Sequence, residues 1–172
     1  MGIIINKDKM SVHLFTENTS YVIESYEGEL LHSYWGAKIE LPDVTPLVPI
    51  EEFVSFYPNP DPNNTVYSLD TIPREYPDFG RSDFGSPAYR VKLEDGTKIT
   101  RFELVSFKKT DGKPVIPGLP STYSDDDDMI ETLIITLHDK KTSMDLNLFY
   151  TVNESFDVIT RYAQFINHGT NA

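Results

Sequence analysis

The sequence predicts an all-β fold, a large antiparallel β-sandwich that carries a long proline- and aromatic-rich loop excursion. Three observations lead there. Short runs of alternating polar and apolar residues recur at both ends of the chain, as expected of strands whose successive side chains point to opposite faces. Polar or glycine-containing breaks separate these runs. No window of helical length shows an amphipathic 3.6-residue period. Many strands with polar turns and no helices define a sandwich or barrel. The 172 residues suit one domain, 1–172, large enough to bury a core without a disulfide or metal staple.

In order, residues 11–16, 20–26 and 29–36 are β-rich runs separated by Glu17-Asn18-Thr19 and Glu27-Gly28, which reads as a meander. Residues 88–94 and 97–104 flank Asp95-Gly96, a dipeptide suited to a type I′ hairpin in which both central residues take positive φ. Near the C-terminus, Leu133, Ile135 and Leu137 share one face. Met144, Leu146, Leu148 and Tyr150 share another, and a polar turn around residues 139–142 joins the two runs. Residues 157–167 supply a third strand. Between these ends, nine of the twelve prolines fall from Pro42 to Pro87, among many phenylalanines and tyrosines. Proline blocks ladder hydrogen bonds, while aromatic richness argues against disorder, so this stretch is expected to be an ordered excursion. The lone tryptophan, Trp35, is expected to anchor the core.

Composition narrows the functions available. There is no cysteine, which removes thiolate nucleophiles and cysteine-ligated zinc. A net charge of −12 opposes binding to nucleic acid or to anionic membrane surfaces. The apolar run at residues 3–5 is too short for a signal peptide and no basic residue precedes it, so the chain is expected to be cytoplasmic. Asn6 stands where a myristoylation signal would need Ser or Thr. There is no Gly-x-Ser-x-Gly elbow, no phosphate-binding glycine loop and no His-Glu-x-x-His. The run Asp125 to Asp128 lacks the turn glycine of a calcium loop and reads as a solvated acidic loop. His13, His32, His138 and His168 have no ligand spacing. No metal or other cofactor is expected.

A series of short motifs goes further. Tyr34-Trp35-Gly36 is followed by Phe56-Tyr57-Pro58-Asn59-Pro60, Ser68-Leu69-Asp70, Glu75-Tyr76-Pro77, Gly80, Asp83-Phe84 and Pro87-Ala88-Tyr89. Gly112-Lys113-Pro114, Gly118-Leu119-Pro120, Thr122-Tyr123, Glu131-Thr132-Leu133 and Val158-Ile159-Thr160-Arg161 complete it. In this order and spacing the chain resembles the N-terminal domain of bacterial glycoside hydrolase family 36 α-galactosidases. Gly85 stands where the family commonly has arginine, and Ser121 where alanine is usual.

That resemblance implies a supersandwich of the galactose-mutarotase-like kind, packed against a (β/α)8 barrel expected after residue 172. In the family the barrel carries both catalytic aspartates and hydrolyses terminal α-galactosyl groups of sugars such as melibiose and raffinose, with retention. It implies no catalytic residue in this chain, which would support the barrel and the subunit contacts of a homo-oligomer. The candidate substrate contacts are Glu51, Glu52, Arg74 and Asp83. For Glu51 and Glu52 the competing reading is a solvated loop, and for Arg74 and Asp83 an ion pair or cap within the domain. Two other functions compete: an autonomous carbohydrate-binding module, marked by aromatic rings on an exposed face, and a pure oligomerisation domain.

Overall fold

The structure, a computed structural model, describes residues 2–40, 63–64, 67–81, 83–118, 120 and 129–169. Two four-stranded antiparallel sheets make up the fold, each a simple meander. The first contains β1 (Ile3–Asn6), β2 (Ser11–Phe15), β3 (Thr19–Tyr26) and β4 (Glu29–Ala37). The second contains β5 (Glu103–Asp111), β6 (Ile130–Asp139), β7 (Met144–Asn153) and β8 (Val158–Asn167). Among the described residues the helical content is one 3-10 turn at Glu154–Phe156.

The sheets pack face to face over one shared core. Ile3, Val12, Leu14, Tyr21, Ile23 and Leu30 from the first sheet meet Leu133, Ile135, Leu137, Leu146, Leu148, Tyr150 and Val152 from the second. Alternation along β6 and β7 creates this face, because every second side chain points inward. A fully buried Leu or Ile contributes about 1.5–3 kcal/mol by leaving water. A backbone-to-side-chain bond also ties the sheets together, the Ile3 amide donating to Glu131 Oε2 at 3.0 Å. The far side of the first sheet is covered by the end of the proline-rich excursion. There Tyr67, Leu69 and Ile72 bury themselves against Leu31. Arg74 forms an isolated antiparallel bridge with Leu31. The Glu75 amide donates to the Leu30 carbonyl at 2.8 Å. Residues 73–75 thus lie along the outer edge of β4.

Two expectations need correction, and one strand lies outside the predicted runs. The run 3–5 is a strand, β1, although it does not alternate in composition; Ile3 is buried while Ile4 faces solvent. Asp95-Gly96 is not a type I′ pair between two strands. Gly96 alone has positive φ (84°), and its amide bonds the Leu93 carbonyl, which puts it last in the turn. The flanks are irregular because their amides find loop partners: Ala88 donates to the Pro77 carbonyl and Arg101 to Asp139 Oδ2, each at 2.8 Å. The left-handed pair occurs instead at Glu27-Gly28 (φ 49° and 82°), the two-residue turn joining β3 to β4. Finally, Trp35 does not anchor the core. It is 54% exposed. Of the excursion, residues 42–62, with Glu51 and Glu52, lie outside the described residues, as does the acidic run 125–128.

Candidate functional site

Two polar clusters gather several of the buried charged side chains among the described residues, and adjacent residues of one short segment build both. Arg74 extends to the outer flank. Its guanidinium donates to Asp78 Oδ1 at 2.5 Å and to Asp83 Oδ2 at 2.6 Å, and all three side chains are buried. Arg81 joins Asp78 (3.1 Å) to Glu29 (2.5 Å). Burial opposes the charge on Arg81, but the bond and charge of Glu29, with Asp78, outweigh it and raise its pKa. Asp70 Oδ1 accepts from the Phe84 amide at 2.6 Å and so fixes the loop's end. The structure therefore brings two of the candidate sugar contacts, Arg74 and Asp83, together as a buried pair. Their hydrogen bonds are spent inside the domain.

Glu75 extends the other way, between the sheets, with 1% of its side chain exposed. Its Oε2 accepts from the Tyr21 hydroxyl at 2.5 Å and lies 3.2 Å from His32 Nδ1. Its Oε1 accepts from the Tyr150 hydroxyl at 2.6 Å and from Arg161 at 3.0 Å. Burial alone would raise the pKa of this carboxyl. The bonds from His32, Tyr150 and Tyr21, with the charge of Arg161, prevail and hold it below the ordinary carboxylate value. Burial, followed by the Glu75 charge, pushes both tyrosine hydroxyls up, so at neutral pH both carry the protons they donate. In its Nδ1–H form His32 also donates to the Tyr21 oxygen, 2.8 Å away.

This second cluster opens to solvent on one side. The His32 side chain is 39% exposed and that of Arg161 60%. Trp35 meets Tyr21 edge-on, with centroids 5.3 Å apart. A bulge in β4 makes the grouping possible. Ile23 pairs with His32 and Val22 with Tyr34, leaving Ser33 as the extra residue; Tyr21 then pairs with Trp35. Cross-strand partners share a face, so the bulge puts both His32 and Trp35 on the inner side with Ile23 and Tyr21. In an unbroken strand, residues three apart would point to opposite sides. In the sequence Glu75 and Arg161 stand out only as members of two of the short motifs, Glu75-Tyr76-Pro77 and Val158-Ile159-Thr160-Arg161. The available signal was the buried-strand pattern around Tyr21 and Tyr150, whose hydroxyls need a partner.

A third grouping lies at the surface. His138 Nδ1 and His168 Nε2 each sit 2.7 Å from Asp145, and their bonds lower its pKa. Among the described residues no group of three His, Asp or Glu side chains is arranged to hold a metal ion.

The fold and these clusters define a β-sandwich domain in which the buried carboxylates of Glu75, Asp78 and Asp83 are bonded to its own side chains. The glycosyl hydrolase family 36 N-terminal domain matches residues 28–172, and the chain belongs to that family. It is 38% identical over 171 residues to the α-galactosidase AgaA of Geobacillus stearothermophilus, covering 98% of this chain and 23% of that protein. The solved α-galactosidase from Lactobacillus brevis superposes with a TM-score of 0.93 at 31% identity, over 98% of this chain and 23% of that one. A variant of Geobacillus stearothermophilus AgaA in complex with raffinose gives 0.86 at 37% identity, over 94% and 22%. The chain thus spans under a quarter of the length of the relatives it matches.

Proposed function

We propose that this chain is the non-catalytic N-terminal part of a cytoplasmic, retaining α-galactosidase, supporting a (β/α)8 barrel and the subunit contacts of a homo-oligomer. The observation that carries the reading is the family match over most of the chain, combined with coverage of only about a quarter of α-galactosidases of known structure. The buried Glu75, Asp78 and Asp83 carboxylates point the same way, because each is bonded within the domain and none is left to act as acid or nucleophile. Raffinose, found with a relative, is the expected type of substrate. In the longer protein, Glu51 and Glu52 are the side chains proposed to reach a sugar.

The test compares this chain with the product of the full coding sequence on a nitrophenyl α-galactoside. Release only by the longer protein is expected, and turnover by the purified chain would overturn the proposal. In the longer protein, Glu51→Ala or Glu52→Ala is expected to lower kcat/KM on melibiose about ten- to hundredfold, the cost of one charged hydrogen bond. If neither changes it, both glutamates are scaffold.

A further inference from the structure

We propose that Trp35, His32 and Arg161 form a non-catalytic binding recess for a pyranose ring at the open margin between β4 and β8. Trp35 supplies the platform. The sole tryptophan of the chain is 54% exposed, on an inner face where residues of its kind are normally covered. Its steeply inclined contact with Tyr21 holds the ring in place while more than half of the residue stays open to solvent. A pyranose presents a patch of C–H bonds that packs on such a face, while its hydroxyls require donors and acceptors at the rim.

Arg161 and His32 provide those. One guanidinium nitrogen is bonded to Glu75 and the group also meets Tyr21, but with the side chain 60% exposed it keeps N–H donors open to solvent and to a ligand. His32 is held through Nδ1 by Tyr21 and Glu75, which leaves Nε2 for a ligand hydroxyl. Glu75 itself touches no ligand, since both oxygens are occupied; it is a positioning residue that fixes the histidine and the arginine. It also balances the Arg161 charge, so the recess exerts no net pull on an anion. A chain of net charge −12 repels anions further. A neutral, polyhydroxylated ring is the chemistry that fits. The bulge at Ser33 interrupts the β3–β4 ladder at the place that brings His32 and Trp35 onto one face, as bulges at binding sites do. The recess lies apart from the Arg74 network and does not rest on the catalytic reading above.

Because Trp35 is the only tryptophan, its fluorescence reports the recess directly. The purified chain is titrated with methyl α-galactoside and methyl α-glucoside, with glycerol as the control for bulk solvent effects. A saturable emission change with a millimolar Kd is expected for at least one glycoside, and only a linear drift for glycerol. Arg161→Lys preserves the charge but loses the planar fork, and is expected to weaken binding about fivefold or more at unchanged urea stability. His32→Gln is expected to weaken it as well. The proposal is overturned if neither glycoside gives a saturable change up to ~100 mM, a Kd at which binding free energy falls to about 1.4 kcal/mol. It is equally overturned if the emission follows protein concentration instead of sugar, which would show the ring covered by a second copy.

Discussion

Arg74 and Glu75 are neighbours in sequence and organise two different kinds of polar interior. Around Arg74 charge meets charge: two guanidinium groups pair with three carboxylates on the flank of the first sheet. Around Glu75 a single carboxylate is held chiefly by neutral hydroxyls and an imidazole, with its one cation half in solvent. Bridging to β4 turns the two side chains to opposite sides and so feeds both. A closed ionic network is committed to shape. An open cluster of directional donors retains unused hydrogen-bonding groups, and it is there that a ligand can be received.

The largest effect is expected on the ionic side. Arg74→Met leaves Asp83 buried without its cation and Asp78 with only Arg81, costing about 3–5 kcal/mol of unfolding free energy in urea. Glu75→Gln is expected to cost less, about 1.5–3 kcal/mol, because the amide still accepts one hydroxyl bond and Arg161 can turn to water. A larger loss from Glu75→Gln than from Arg74→Met would reverse the comparison. The finest test uses acid. A folded-state pKa held below the ordinary 4.5 adds stability above that value and loses it as pH falls through the depressed one. The advantage of wild type over Glu75→Gln should therefore be full at neutral pH and shrink progressively below 4.5 in acid denaturation. A difference independent of pH would mean that the carboxyl titrates alike in the folded and unfolded chain, and one that grows as pH falls would mean that it is buried protonated.

The fold was legible where one face of a strand is buried and the other is wet. Leu133, Ile135 and Leu137 announce β6, and Leu146, Leu148 and Tyr150 announce β7, because burial imposes the two-residue period on composition. It failed at β1, where Ile4 is apolar yet exposed, so composition hides the alternation that the backbone has. It failed again at Asp95-Gly96, since a dipeptide specifies local φ preferences but not whether the flanking amides find a ladder. The clusters were less accessible still. Tyr21, Tyr150 and Arg161 lie 54, 75 and 86 residues from Glu75, and no local pattern encodes a meeting decided by sheet docking. The pairing of Arg74 with Asp83, only nine residues apart, was within reach. The exposure of Trp35 was not, because it depends on one unpaired residue in β4.

The single shared core also bears on how the chain is made. The first sheet is complete once Ala37 has been synthesised, yet the apolar face it must cover waits for β6, β7 and β8. At about 5–20 residues per second, that interval is on the order of ten seconds. Throughout it Val12, Leu14, Ile23 and Leu30 have no partner sheet, and the nascent N-terminal meander presents a sticky surface beside the ribosome. The proline-rich stretch is translated in that same interval. Its Tyr67, Leu69 and Ile72 can shield only the outer face of the meander, at Leu31, so the inner face depends on the last strands, or on a chaperone, to stay out of aggregates.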